Sequence, residues 1–169
     1  MWFFAGFVAL MLLALLLRML DSQPQKNPDL GNSALPYQRE QYLLTGHEKA
    51  FFDLLITAAP SDVYVCPQVG LSAILKVRPG SKKRTSYQNR IHQKRIDYLI
   101  CDKASLRSLV VVELDDSSHD SPKRQDRDTF LDDACKSAGL KILHFRGRQA
   151  FDPAKLQQTL HSAVSEARS

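Results

Sequence analysis

The chain has 169 residues, with 23 Lys+Arg against 18 Asp+Glu and a net charge of +5. That length suits one domain with a real core plus an appendage. The chain has no internal repeat, and its three cysteines, none spaced C-x-x-C, argue against a disulfide framework or a cysteine-ligated zinc site and read as buried free thiols in a reducing compartment.

Trp2 to Leu20 is apolar except for Arg18. As a helix it would extend about 28 Å at about 1.5 Å per residue, close to the roughly 30 Å hydrocarbon thickness. A cleaved signal peptide would carry a positive n-region and a small-x-small site; Met1 to Val8 has no Lys or Arg, and Leu20-Asp21-Ser22 is a poor site. Residues 1–20 are therefore expected to be a retained transmembrane helix. Arg18 and Lys26 flank its C-terminal side, which places the following domain in the cytoplasm by the positive-inside rule. Residues 21–42, rich in Pro, Asn, Gln and Ser, read as a flexible linker.

The domain is expected over residues 43–169. Thr45-Gly46-His47-Glu48 fits a capping box, and Phe51, Phe52, Leu54, Leu55 and Ala58 form a helical stripe stopped by Pro60. Val63 to Val69 alternates as a strand. Leu71 to Val77 is a short apolar segment, helix or strand. A basic stretch with a Pro79-Gly80 turn follows, then strands over Ile96–Cys101 and Leu109–Leu114. Pro122 to Ala138 reads as a helix stopped by Gly139, Lys141 to Phe145 as a fourth strand, and Asp152-Pro153 as the cap and first residue of a last helix. The order predicts an α/β fold: a mixed four-stranded sheet flanked by helices.

Charge is distributed unevenly. Lys76 to Arg95 holds eight Lys/Arg and no acid, whereas Glu113 to Asp133 holds eight acids. One reading is a metal site beside a phosphate-binding surface; the other is a solvated loop and a solvated helix face. Side-chain alternation puts Glu113 and Asp115 on one strand face, and Asp97 can face Glu113 if the second and third strands are neighbours. Converging carboxylates are hard oxygen ligands suited to Mg²⁺ or Mn²⁺, which activate water and screen phosphate in phosphodiester cleavage. Alternatively, Asp97 pairs with Lys94 or Arg95, and Asp115 to Ser118 is a turn.

Asp97, fifteen residues, then Glu113-x-Asp115 resembles the PD-(D/E)XK nuclease superfamily, whose fold is restriction-endonuclease-like. The extension "ELDDSSHDSPKRQDRD", a helix ending "AGL" and a strand ending "HFR" are similar to the very short patch repair endonucleases. They also resemble the bacterial "domain of unknown function 2726" family, often preceded by one membrane helix. The resemblance implies Asp97 and Glu113 as metal ligands, with the Leu114 carbonyl beside them. It implies catalytic roles for Asp115 and for His119, the latter as base or phosphate-steadying group. Glu48 is implied as an auxiliary acid, with the capping box as its other reading. Asp126 and Arg127 are implied as orienting or phosphate-gripping groups, otherwise a helix-surface ion pair. One departure stands out: Asp115 occupies the position where the superfamily motif carries a lysine, and Lys94 or Lys103 could supply a migrated ammonium.

In "KVRPGSKKRTSYQNRIHQKR", Lys82, Lys83, Arg84, Arg90, Lys94 and Arg95 are candidates for neutralising phosphates and Tyr87 for stacking on a base; Arg146 joins them after the fourth strand. The same cations suit an anionic lipid surface. The expected protein is a single-pass protein of the bacterial inner (cytoplasmic) membrane. Its domain would be a Mg²⁺- or Mn²⁺-dependent nuclease acting on nucleic acid, DNA ahead of RNA. The competing expectation is an inactive nuclease-fold module that binds nucleic acid or a protein partner.

Overall fold

A computed structural model describes residues 35–115, 122–147 and 151–169, and gives only the backbone for 122–128. The expected membrane span and most of the linker lie outside these residues. Among the described residues no helix is long and apolar enough to cross a membrane. The chain divides into the units Met1–Glu40 and Gln41–Ser169, and every element below lies in the second.

Helix α1 spans Gly46–Ala58 and starts at a complete capping box: the Thr45 hydroxyl accepts from the Glu48 N–H, and the Glu48 carboxylate accepts from the Thr45 N–H. These two bonds satisfy amide donors that a helix start otherwise leaves open. Strand β1, Val63–Gly70, runs directly into a one-turn helix α2, Leu71–Ile74. The basic stretch then forms helix α3, Arg84–His92, where the sequence suggested only a turn-containing segment. Only Ile91 of this helix is buried, so no apolar stripe announces it.

Strands β2, Arg95–Asp102, and β3, Ser108–Asp115, lead to helix α4, Pro122–Ser137. Gly139, at φ 70°, closes α4: the Leu140 N–H reaches back to the Cys135 carbonyl at 2.9 Å. Strand β4, Lys141–Arg146, is followed by helix α5, Pro153–Arg168, whose Asp152 cap accepts from the Lys155 N–H.

The sheet order is β1-β2-β3-β4; β1/β2 and β2/β3 are antiparallel and β3/β4 parallel. A parallel pair needs a crossover, which α4 supplies. Both faces are covered, so β3 reads as an unbroken apolar run rather than an alternating one. Val110 and Val112 face Phe51, Leu55, Leu156 and Leu160 of α1 and α5. Val111 faces the other way, into a cluster with Leu71, Ile91, Leu131 and Cys135 of α2, α3 and α4. The cysteines are free; Cys101 and Cys135 are buried, but Cys66 is only half-buried. Burial, followed by the neighbouring Cys66, pushes the Cys101 thiol up to about 11.

Candidate functional site

The polar residues of interest lie in one row across the sheet. The β1–β2 register runs from Val63↔Asp102 to Gly70↔Arg95 and sets Gln68 opposite Asp97. In β2–β3 the last bridged pair is Tyr98↔Val112, so Asp97 and Glu113 come next. Glu113 is in turn aligned with His144 of β4. One step inward the row is apolar: Pro67, Tyr98, Val112 and Leu143. Gln68, Asp97, Glu113 and His144 thus form a polar row, and the next row outward, Val69, Ile96, Leu114 and Phe145, is apolar again.

Asp97 and Glu113 clasp each other's strands. The Asp97 N–H donates to Glu113 Oε1 at 3.1 Å, and the Leu114 N–H donates to Asp97 Oδ2 at 2.9 Å. Side-chain acceptors thereby continue the ladder beyond its last backbone bridge. Glu113 is 5% exposed and is the one charged residue among the described buried ones. A buried carboxylate is costly unless it is hydrogen-bonded or paired. The clasp supplies part of that compensation, and both residues make further interactions.

Glu48 reaches the same neighbourhood from α1. Besides closing the capping box, its carboxylate accepts from Gln68 Nε2 at 3.2 Å, and its main-chain carbonyl accepts from the Tyr98 hydroxyl at 2.7 Å. The capping-box reading of Glu48 is thus observed, and the same carboxylate also bonds Gln68 of β1. Burial, then the charges of Asp97, Glu48 and Glu113, raise the Tyr98 phenol well above its ordinary range. Sequence reasoning missed Gln68; its φ of 54° is a left-handed conformation imposed by tertiary context, and the only signal was a polar residue inside an apolar strand.

Asp115 follows a different course. Its carboxylate accepts from Arg146 Nε at 2.7 Å and meets His144 Nδ1 at 3.2 Å, while His144 Nε2 lies 2.9 Å from Asp132 of α4. Burial alone would lower the His144 pKa; the hydrogen bonds to Asp132 and Asp115 outweigh it and hold the imidazole above its ordinary value. Asp115 is thus a carboxylate bound to a guanidinium and an imidazole.

The other predicted residues are scattered. Lys82, Lys83 and Arg84 lie exposed at the entry to α3, and Arg90 in its last turn stacks its guanidinium 3.9 Å from the Phe130 ring centroid. Lys94 and Arg95 lead from α3 into β2, and Arg95 is two residues before Asp97. Arg146 does not join this group; it lies on β4 against Asp115. Lys103 is at the far end of β2 from Asp97, beside Ser61 and Tyr64. His119 and the side chains of Asp126 and Arg127 lie outside the described residues.

A family model described as "Protein of unknown function (DUF2726)" matches residues 40–164, spanning all four strands and both clasped carboxylates. The chain belongs to the DUF2726 family. No curated protein and no solved structure matches it. Within this DUF2726 fold, no group of three or more His, Cys, Asp and Glu side chains among the described residues is arranged to hold an ion. The Asp97–Glu113 pair is compatible with a hard divalent cation on different grounds. Mg²⁺ characteristically takes one or two carboxylates and completes its shell with water and substrate phosphate, and both donors here are carboxylate oxygens on the two adjacent central strands.

Proposed function

We propose that this DUF2726 protein is a membrane-tethered, divalent-metal-dependent nuclease that hydrolyses phosphodiester bonds. The observation that carries the reading is the Asp97–Glu113 clasp, a buried acid beside a second acid on the two central strands, each accepting from a main-chain N–H of the other's strand. Asp97, Glu113 and the Leu114 carbonyl hold Mg²⁺ or Mn²⁺. When bound, that ion supplies screening of the scissile phosphate and a more acidic water. The chain's own groups fix the geometry. Each clasped carboxylate has one oxygen anchored by a main-chain N–H, which limits its rotation. Gln68 ties Glu48 to the same row, and its strained backbone supports a functional rather than a merely structural row. Arg90, Lys94 and Arg95 lie on the chain segment that enters β2 just before Asp97, as a phosphate-neutralising surface requires. The apolar N-terminal segment tethers the domain to the cytoplasmic face of the bacterial inner membrane.

One observation favours a second reading, a non-catalytic module that binds nucleic acid or a protein partner. Asp115 is held by Arg146 and His144 where the superfamily motif carries its water-positioning lysine. The test is incubation of the detergent-solubilised full chain with end-labelled single-stranded DNA, duplex DNA and RNA, with Mg²⁺, Mn²⁺ or EDTA. Cleavage that requires the cation supports the nuclease. Binding to any of these without cleavage under every condition establishes the module instead.

A further inference from the structure

A groove of about 580 Å³ runs between α3 and the second half of α4, with the α2–α3 connection along one side. Its volume falls within the roughly 300–1,000 Å³ of small-ligand sites. Three cations line it, Lys76, Arg78 and Arg90, against one acid, Asp133. Two aromatics face it. Tyr87 is half-exposed, and Phe130 lies under the Arg90 guanidinium. Arg78 bridges one side to the other by donating from Nη2 to the Ser137 carbonyl at 3.1 Å. The groove therefore combines a positive rim, an apolar floor and a flat cation already stacked on a ring.

We propose that this groove seats an unpaired nucleotide, so that the protein engages single-stranded nucleic acid in preference to duplex. The inference rests on the nucleic-acid reading above and specifies the form of substrate. A base entering the groove can lie on the outer face of the Arg90–Phe130 stack or against the Tyr87 ring. Stacking of this kind is available to any base, because every base has a π-face. Lys76 and Arg78 meet the phosphates. In a duplex the base faces are already stacked on their neighbours, so a groove between two helices admits only a base that has left the stack.

The test uses the full chain in non-ionic detergent and fluorescence anisotropy with a labelled thymidine oligonucleotide of about 12 nucleotides, within the ~4–16-nucleotide footprints of single-strand binders. A hairpin duplex of equal charge is measured in parallel. Wild type is expected to bind the single strand more tightly than the duplex. Tyr87→Ala and Arg90→Gln should each weaken single-strand binding by ~5–150-fold, the range corresponding to loss of one stacked base. Tyr87→Phe should retain wild-type affinity, and Tyr87→Ala should change duplex binding by less than about twofold, since duplex contacts are mostly to phosphate. Single-strand binding unchanged in both variants overturns the groove assignment and leaves nucleic-acid binding standing. Equal losses on single strand and duplex also overturn it. Absence of binding to either nucleic acid overturns the groove and the nucleic-acid reading together. Displacement of the oligonucleotide by soluble short-chain phosphatidylserine would identify a lipid headgroup as the occupant, and the proposal would fall.

Discussion

Asp97→Asn and Glu113→Gln are each expected to reduce metal-dependent cleavage by ~100–1,000-fold, as measured by single-turnover assays at saturating Mg²⁺. The magnitude follows from the several kcal/mol of charge stabilisation that a correctly held divalent ion contributes, at about 1.4 kcal/mol for each factor of ten. These two changes separate chemistry from folding. The amide introduced by Asp97→Asn would still present an oxygen to the Leu114 N–H, and that introduced by Glu113→Gln would present one to the main-chain N–H of Asp97. The clasp that continues the β2–β3 ladder is therefore retained. What is lost is one negative charge at each position. The corresponding alanine variants would confound the effects by leaving main-chain donors without their acceptors near the buried Glu113 site. Cleavage within tenfold of wild type for either conservative variant would remove that residue from the reacting centre.

The largest expected effect on stability comes from Phe51→Ala. Phe51 is fully buried on the inner face of α1, with ring centroids 5.6 Å from Tyr98, 5.5 Å from Phe145 and 5.9 Å from Phe151. One side chain thus ties α1 to β2, β4 and the segment entering α5. Removing it gives up burial and ring–ring contacts and leaves a cavity that three other rings cannot readily fill, a cost of ~3–5 kcal/mol. For a domain of this size that corresponds to roughly 10–20 °C in Tm. Ile56, on the same helix but 52% exposed, provides the contrast: Ile56→Ala should cost no more than about 0.5 kcal/mol. Thermal unfolding of the two variants checks both values, and equal losses would mean that α1 does not pack as described.

Much of this architecture was legible because its residues obey local rules. Thr45 and Glu48 mark the start of α1 by chemistry that needs no tertiary partner, and Asp152-Pro153 does the same for α5. Val110 to Val112 mark a strand covered on both faces. Alternation placed Glu113 and Asp115 on one face, and the approach of Asp97 followed once β2 and β3 were taken as neighbours. Helix α3 was not legible, because with Ile91 as its only buried residue it has no stripe to read. Gln68 was hidden for a different reason: its left-handed backbone and its bond to Glu48 depend on α1 lying beside β1. The parallel β3–β4 register likewise decides that Asp115 meets Arg146 and His144, and nothing local to either strand specifies it.

The clasp also accounts for the most unusual feature of β3, a strand that buries valines and then an acid. Glu113 tolerates burial because a main-chain N–H of the adjacent strand donates to it. Asp115, two residues on, is neutralised by partners from β4 and so belongs to the frame around the site. The proposed cation ligands are accordingly Asp97 and Glu113, with Asp115 outside that set.

The most direct test is Mn²⁺ binding, followed by the loss of the free-ion electron paramagnetic resonance signal on titration with the full chain. Wild type and Asp115→Asn should take up Mn²⁺ stoichiometrically, and Asp97→Asn and Glu113→Gln should each lose that uptake. Uptake undiminished in both of the latter variants, or absent from wild type, would contradict the proposed metal site.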